Sequence, residues 1–218
     1  MPTSLVLASR SPRRRELLAA LSPATEIEIL PPPDSTERSL ADCHDWPSIE
    51  ARIRLIAQEK ADAVDALLRQ RPVSRPAILI AADTAIVVRD SPGRLRVLEQ
   101  PPEDDTWQKV VREWFQRHYL GQTHWALSGL CVRWPHGELR QAVVRTAVTF
   151  HDASALAGAL EWYLATGESR GKAGGYAIQG AGSVFVSRVE GSLSNVIGLP
   201  LEPLREWICE APGASPRD

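Results

Sequence analysis

The sequence predicts an α/β fold with a mixed sheet and flanking helices. Two apolar runs of strand length lie at residues 5–8 and 77–88, and stretches with apolar residues at helical spacing occur along the rest of the chain. Two further segments, 124–134 and 141–150, are separated by the turn signal Pro-His-Gly-Glu and indicate an antiparallel pair. Because strands and helices do not alternate strictly, we expect parallel and antiparallel strands in one sheet.

The first predicted unit is a strand followed at once by a helix. Residues 5–8 form the strand, and Leu17 and Leu21 lie on one face of the helix. Ser11 has a hydroxyl that can cap a helix, and Pro12 suits the first turn, where a backbone N–H has no partner. The chain therefore turns from strand to helix within a few residues that are rich in serine and arginine.

The remaining elements follow from the same kinds of pattern. Prolines 31–33 indicate an extended connector, residues 34–37 a loop, and 48–69 a regular helix. The later elements are expected, in order, as a strand at 77–88, a helix at 107–119, the antiparallel pair, a helix at 154–166, a strand at 184–186 and a last helix at 204–209. We expect one domain of two lobes over 1–211 and a flexible tail over 212–218.

The composition argues against several classes of partner. The 218 residues carry a formal net charge of −2, from 25 Lys+Arg and 27 Asp+Glu. Signs that nearly cancel produce no long-range field toward nucleic acid or an anionic membrane, so any anion must be bound by a local cluster. No run of eighteen apolar residues is present to span a bilayer.

The cysteines and the N-terminal residues indicate a cytoplasmic protein. Cys43, Cys131 and Cys209 are odd in number and widely spaced, which indicates neither a disulfide framework nor a zinc site. The apolar run at 5–8 is too short for a signal peptide. We therefore expect a reducing compartment, the cytoplasm.

A first candidate site is the segment 9–16, Ser-Arg-Ser-Pro-Arg-Arg-Arg-Glu, at the junction of strand and helix. Amides at a helix N-terminus, two hydroxyls and several guanidinium groups match the needs of a di- or triphosphate. The alternative is a capped surface helix with solvated arginines. The segment matches neither GxxxxGK[ST] nor GxGxxG, which disfavours P-loop and dinucleotide-binding functions.

Two other segments place polar groups in apolar or glycine-rich surroundings. Asp83 and Thr84 interrupt the run 77–88, where a carboxylate is unfavourable unless it is paired, hydrogen-bonded or bound to a metal. An aspartate that caps a turn is the alternative there. In 171–180 the glycines allow close approach to a ligand, the lysine can reach a phosphate, and Gln179 can read a base edge. The alternative is a glycine-rich connector with a solvated lysine.

Five motifs extend these candidate segments along nearly the whole chain. They are LASRSPRRRELL at 7–18, RLIAQEKA at 54–61, ADT at 82–84, KAGGYAIQG at 172–180 and SNVIGLP at 194–200. Together they resemble the Maf family, cytoplasmic nucleoside triphosphate pyrophosphatases that are also named septum formation inhibitors. Five motifs in the same order are far more specific than any one of them.

The resemblance implies a two-lobed α/β fold around a central cleft, related to the inosine triphosphatase superfamily, and a homodimer. It implies hydrolysis of a nucleoside triphosphate to the monophosphate and pyrophosphate with a divalent metal, Mg²⁺ or Mn²⁺. The form KAGGYAIQG is similar to the branch that acts on dTTP and UTP rather than to the branch that acts on 7-methyl-GTP. Modified pyrimidine nucleotides are further candidate substrates.

The resemblance also implies roles for individual residues. Asp83 matches the family's proton acceptor, and we expect it to activate the water, to bind the metal together with Glu37, or to do both. The family's specificity positions are matched by Arg13, Thr84 and Gln179. Its phosphate-side positions are matched by Ser9, Arg14, Lys60 and Lys172.

One segment departs from the family pattern. The family usually has Leu-Gly-Lys-Pro after the Asp-Thr strand, whereas residues 98–101 are Leu-Glu-Gln-Pro. Gln100 thus replaces a cation expected at the phosphates, and Glu99 adds a negative charge. Either activity is reduced, or Arg94 or Arg96 takes over the role. The departure supports the alternative of a weakly active or non-catalytic nucleotide-binding protein of this family.

Overall fold

A mixed sheet of seven strands runs through the protein in a computed structural model that describes residues 4–33, 38–71, 76–156 and 158–210. The strands are β1 (Ser4–Leu7), β2 (Ile27–Ile29), β3 (Ala77–Ser91), β4 (Arg94–Leu98), β5 (Thr123–Arg133), β6 (Leu139–Phe150) and β7 (Val186–Glu190). The helices are α1 (Pro12–Leu21), α2 (Trp46–Arg69), α3 (Trp107–Trp114), α4 (Ala159–Thr166), α5 (Leu193–Ile197) and α6 (Leu201–Glu210). The strand order is β2-β1-β3-β5-β6-β7, with β4 paired to β3. The predicted α/β class with a mixed sheet is confirmed.

The long strand β3 has different neighbours along its two halves. Its first residues, 77–80, pair in parallel with β1, and its last residues, 86–91, pair antiparallel with β4. On its other edge, residues 79–87 pair without interruption with β5. Within the described chain, residues 81–85 therefore have a strand neighbour on one edge only. We call the opening beside 81–85, between the end of β1 and the end of β4, the sheet gap.

Helix α2 packs directly on one face of β3 and β5. Its buried residues, including Ile53 and Ala57, join two apolar clusters with the inward side chains of these strands. A Cβ at Gly129 of β5 would collide with the backbone carbonyl of Ile53, so the helix backbone touches the sheet at this point. This close approach sets the distance between α2 and the sheet, and so the distance from which Lys60 reaches β3.

Several elements differ from the sequence prediction. The prediction of a strand at 184–186 is wrong. Ala181–Phe185 is a 3₁₀ helix, and the strand is Val186–Glu190. The cause is tertiary, because the carboxylate of Glu168 accepts hydrogen bonds from the amides of Ala181 and Gly182 and holds that segment in a turn. The two short strands β2 and β4 were not predicted, since each depends on pairing with a distant strand.

Two predicted helices are interrupted. The segment 107–119 is α3 followed by a π-helix, Phe115–Tyr119. In 154–166, α4 begins only after Gly158, which adopts a left-handed conformation with φ 77°. The loop expected at 34–37 and the tail expected at 212–218 lie outside the described residues, so the domain limits stay a prediction.

The second face of the sheet carries an aromatic cluster around β5, β6 and the π-helix. Its rings pack edge to face, tilted or, for Phe150 and Phe185, stacked, at centroid distances of 4.4–5.8 Å. The members are Phe115, Tyr119, His124, Phe150, Tyr163, Tyr176 and Phe185. His124 is fully buried, and its Nε2 lies 2.8 Å from the hydroxyl of Tyr176. Burial lowers the pKa of His124 to about 3.

The buried histidine predicts acid sensitivity of the fold. An unfolded histidine has a pKa of about 6.5, so between pH 6.5 and 3 the unfolded chain binds a proton that folded His124 excludes. The stability contributed by neutral His124 is thus present above pH 6.5 and is lost as the pH falls toward 3. We expect His124 to contribute a slope of up to about 1.4 kcal/mol per pH unit to the free energy of unfolding.

Urea denaturation between pH 7 and pH 4 measures this slope. His124→Gln keeps a polar partner for Tyr176 but has no proton to gain, so its free energy of unfolding should fall less steeply with acid. Carboxylates with lowered pKa, such as Glu28 and Asp42, titrate alike in both proteins and cancel in the comparison. Equal slopes for the two proteins would contradict the assignment.

Candidate functional site

Segments from distant parts of the chain meet at the sheet gap. The chain after β1 remains beside β3, where the amide of Ala8 donates to the carbonyl of Ile80 at 2.8 Å. On the other side, β4 leaves β3 after the pair Ile86 and Leu98. The glycine-rich segment joins there, because the amide of Gly174 donates to the carbonyl of Glu99 at 3.0 Å. The sheet gap is therefore bordered by three of the five sequence motifs, those at 7–18, 82–84 and 172–180, and by the segment that departs from the family pattern.

Asp83 lies in the sheet gap on the face covered by α2. Its Oδ1 accepts a hydrogen bond from Nζ of Lys60 at 2.6 Å, and both side chains are only 13% exposed. Lys60 belongs to the α2 face that includes Ile53, Ile56 and Ala57, so helical periodicity directs it at the sheet. The second carboxylate oxygen of Asp83 accepts no hydrogen bond from the part of the chain that the structure describes. That oxygen can accept a proton or hold a cation.

Thr84, one residue on, faces the opposite side of the sheet. Its hydroxyl donates to the carbonyl of Gly198 at 3.2 Å and accepts from Nη2 of Arg14 at 3.3 Å. Oγ of Ser128 lies 2.8 Å from Oγ1 of Thr84. Because the Thr84 proton is used by Gly198, Ser128 is the donor in this second contact. A hydroxyl has one donor and two acceptor positions, so these protein contacts occupy all of them. The role of Thr84 as a specificity residue stays a prediction.

Arg14 connects three of the motifs. Its Nε donates to the carbonyl of Gly198 at 2.8 Å, and its Nη1 donates to Oγ of Ser9 at 3.2 Å. The carbonyl of Gly198 is placed by Asn195, whose buried amide nitrogen lies 3.1 Å from the carbonyls of Ala126 and Val144. The motif SNVIGLP thus attaches α5 to the sheet and fixes Arg14.

Ser9 retains a hydrogen-bond donor. Its Oγ accepts from the amide of Ser11 at 3.1 Å and from Arg14, while its hydroxyl proton has no acceptor among the described residues. The hydroxyl can therefore donate to a phosphate oxygen at the N-terminus of α1.

Arg13 and Lys172 are two positively charged side chains close enough to influence each other. Neither makes an ion pair within 4 Å in the described chain, and the ammonium of Lys172 lies 3.4 Å from the carbonyl of Arg170. Partial burial and the nearby charge of Arg13 lower the pKa of Lys172, and Glu168 opposes the shift. Two neighbouring cations without a carboxylate partner favour the binding of an anion.

Two glycines of KAGGYAIQG have a structural role, and the expectation that they allow close approach to a ligand stays a prediction. Gly174 and Gly175 have φ of 68° and 72°, a left-handed conformation that side chains disfavour. Their amides donate to the carbonyls of Glu99 and Lys172. A substrate can therefore contact the side chains of this segment, but these two amides are occupied. Gln179 is exposed and makes no hydrogen bond with the described residues.

Gln100 lines a cavity of about 440 Å³ beside the sheet gap. Arg94 and Arg96 line the same cavity, with Arg94 at the end of β4 that is far from Gln100. Arg94 also contacts Nε2 of His44 at 3.1 Å. The carboxylate of Glu99 accepts from the hydroxyl of Ser39 at 2.9 Å, so this substitution ties the chain before α2 to the end of β4.

The described residues of the sheet gap offer one carboxylate to a metal. Within the described ranges, no group of three His, Cys, Asp or Glu side chains could hold an ion, and Glu37 lies outside them. Mg²⁺ is commonly bound by one or two carboxylates together with substrate phosphates, and Asp83 supplies one such carboxylate. No described helix is long and apolar enough to cross a membrane.

Several residues at this site gave no clear signal in the sequence. Ser128 lies in the middle of β5, and Tyr119 and Tyr163 are far from the glycine-rich motif in sequence yet contact its backbone. Glu168 precedes the motif by a few residues and binds the amides after Gln179. Of these residues, only Ser128 could have been noticed in the sequence, because it is a polar residue within an apolar strand.

Comparisons with known proteins agree with this geometry. A family model described as Maf-like protein matches residues 4–211. A protein from Anaeromyxobacter sp. (strain Fw109-5) named dTTP/UTP pyrophosphatase is 40% identical over 223 residues, which cover 100% of this chain and 94% of that protein. One of the same name from Alcanivorax borkumensis is 38% identical over 208 residues, covering 93% and 94%.

Among solved structures, a nucleoside-triphosphatase / dITP/XTP pyrophosphatase from Mycobacterium abscessus matches with a TM-score of 0.40 and 15% identity. The match covers 68% of this chain and 74% of that one. The family model and the relatives, by contrast, extend along almost the full length of the sequence. The chain therefore belongs to the Maf family.

Proposed function

We propose that this protein hydrolyses dTTP and UTP to the nucleoside monophosphate and pyrophosphate. Relatives that are 37–41% identical over most of the chain carry the name dTTP/UTP pyrophosphatase. The observation that carries the proposal is the arrangement at the sheet gap. Asp83, a carboxylate with an open oxygen, lies in this gap, and the segments that carry the cations Arg13 and Lys172 border it.

Asp83 is the residue proposed to activate water. Lys60 holds one carboxylate oxygen, which orients the other to accept a proton from a water molecule. The water oxygen forms a bond to the α-phosphorus, the bond from that phosphorus to the bridging oxygen breaks, and pyrophosphate leaves. The proton passes from the water to Asp83.

The cations and the hydroxyl at the rim stabilise the phosphates. Arg13 and Lys172 offer positive charge and Ser9 a hydrogen-bond donor, as a transition state that gains charge on its phosphate oxygens requires. Arg14 holds Ser9 and Thr84 in place. Gln179 has both a donor and an acceptor, which suit the carbonyl and N–H edge shared by thymine and uracil.

A divalent cation, Mg²⁺ or Mn²⁺, is part of the proposal. Asp83 and Glu37 would hold it, and when bound it would offset negative charge on the triphosphate. We further propose that the protein acts as a homodimer in the cytoplasm and binds no nucleic acid, in keeping with its net charge of −2.

The products of the reaction test the proposal. With Mg²⁺ or Mn²⁺, purified protein should convert dTTP or UTP to the monophosphate, and pyrophosphate should be the released product. Ion-exchange chromatography of the nucleotides and separate assays for pyrophosphate and orthophosphate distinguish the outcomes. Formation of the diphosphate and orthophosphate would indicate a phosphatase, and binding without turnover would support the non-catalytic alternative.

Asp83→Asn should remove most of the activity. Loss of a general base or a metal carboxylate lowers the rate by about two to four orders of magnitude. Asp62→Asn is a matched control, because Asp62 is an exposed carboxylate on α2 whose partner Arg133 lies outside the sheet gap. Circular dichroism checks that both variants fold. A folded Asp83→Asn protein with full turnover would place the base elsewhere, with Glu37 the next candidate.

Gln100→Lys tests the departure from the family pattern. If the site lacks one phosphate contact, the added lysine should raise kcat or lower KM, because a charge-assisted hydrogen bond to phosphate is roughly twice as strong as a neutral one. If Arg94 or Arg96 has replaced it, Gln100→Lys should change little, and Arg94→Ala or Arg96→Ala should lower activity. No effect from any of the three would show that this segment does not reach the phosphates.

A further inference from the structure

Two buried phenols hold the backbone that carries Lys172. The hydroxyl of Tyr119 donates to the carbonyl of Gly174 at 2.8 Å, and the hydroxyl of Tyr163 donates to the carbonyl of Gly175 at 3.1 Å. Both side chains are fully buried. Burial raises the pKa of Tyr119 well above its usual value and that of Tyr163 to about 12, so both remain protonated donors.

The π-helix is what brings Tyr119 to this position. The amide of Leu120 donates to the carbonyl of Phe115 at 3.0 Å, the five-residue spacing that widens the turn. Phe115, His118 and Tyr119 are all buried as a result. On the other side, a Cβ at Gly174 would meet the hydroxyl of Tyr119 and the side chain of Ile86. The close contact thus depends on both the π-helix and the glycine.

Two further contacts fix the same backbone. The amide of Gly174 is bound by the carbonyl of Glu99, and the ring of Tyr176 enters the aromatic cluster with its hydroxyl 2.8 Å from Nε2 of His124. Residues 174–176 are therefore held by the residue after β4, the π-helix, α4 and β5.

The fixed backbone holds Lys172 where partial burial and the charge of Arg13 disfavour its ammonium, and Glu168 offsets only part of this. Gly174 and Gly175, two and three residues after Lys172, have left-handed conformations, and glycine adopts other conformations at little cost. Without the tethers, we expect this backbone to sample conformations in which Lys172 is more exposed to solvent. Substrate would then have to restore the arrangement at the cost of part of its binding energy.

We infer that Tyr119 and Tyr163 are positioning residues, which hold the backbone that carries Lys172 in place before the substrate binds. The kinetic consequence of this inference rests on the proposed function, in which Lys172 binds the triphosphate. The phenols themselves contact backbone and act through Lys172. Their hydroxyls matter for activity even though they lie in the core.

A double-mutant cycle tests the inference by kinetics. Tyr119→Phe, which removes one oxygen atom, should lower kcat/KM for dTTP about tenfold, and Tyr163→Phe provides a second variant should the first not fold. In a Lys172→Ala background, the same substitution should cause little further loss. Phe115→Leu is the control, since it disturbs the aromatic cluster but removes no hydrogen bond to the segment 173–176. Losses that multiply independently for Tyr119→Phe and Lys172→Ala would overturn the inference.

A spectroscopic measurement tests it without turnover. The chain has only three lysines, Lys60, Lys109 and Lys172, so ¹³Cε-lysine labelling of the full protein gives a spectrum of three side chains. In Tyr119→Phe, the pKa of Lys172 should rise toward its ordinary value, because the ammonium becomes less buried and moves away from the charge of Arg13. The signals of Lys60 and Lys109 are the internal references.

The two measurements separate the inference from the proposed function. An unchanged Lys172 titration in folded Tyr119→Phe and Tyr163→Phe would overturn the positioning role, whatever the activity. If the wild-type protein released no pyrophosphate while the Lys172 titration moved as expected, the proposed function would fail and the positioning role would stand.

Discussion

The sheet gap beside residues 81–85 is the constraint on which the rest of the site depends. β3 is paired throughout this region on its β5 edge, so its backbone is rigid, yet its other edge is open between β1 and β4. Adjacent residues of a strand point to opposite faces. Asp83 and Thr84 therefore meet different helices, α2 and α1, at one opening, and a ligand in the gap can contact groups attached to both faces of the sheet.

Charge is distributed unevenly around this opening. On the α2 face, Lys60 and Asp83 pair at 2.6 Å and largely balance each other. Near the N-terminus of α1, the charge of Arg13 acts on Lys172, and Glu168 offsets only part of it. The balanced pair suits proton transfer, because it leaves one carboxylate oxygen open, whereas the unbalanced pair suits an anion. This separation is the physical basis for assigning the phosphates to the α1 rim and the attacking water to Asp83.

The departure at Gln100 has a partial explanation in the packing. Glu99, which stands where the family usually has glycine, uses its carboxylate to bind Ser39 and its carbonyl to bind Gly174. The substitution therefore connects the segment before α2 with the motif that carries Lys172. Arg94 and Arg96 line the cavity that also contains Gln100.

The sequence alone determined the fold class, most helices and the candidate residues, because apolar periodicity and a helix cap such as Ser11 act over a few residues. Only the tertiary structure decided which of those residues form all their hydrogen bonds within the protein and which keep a hydrogen-bonding position for a ligand. Thr84 is saturated by Arg14, Ser128 and Gly198, and the glycines of the third motif are used by β4 and the π-helix. Hydrogen-bond capacity is shared among groups that are far apart in sequence, and local patterns carry no information about which distant partner will use it.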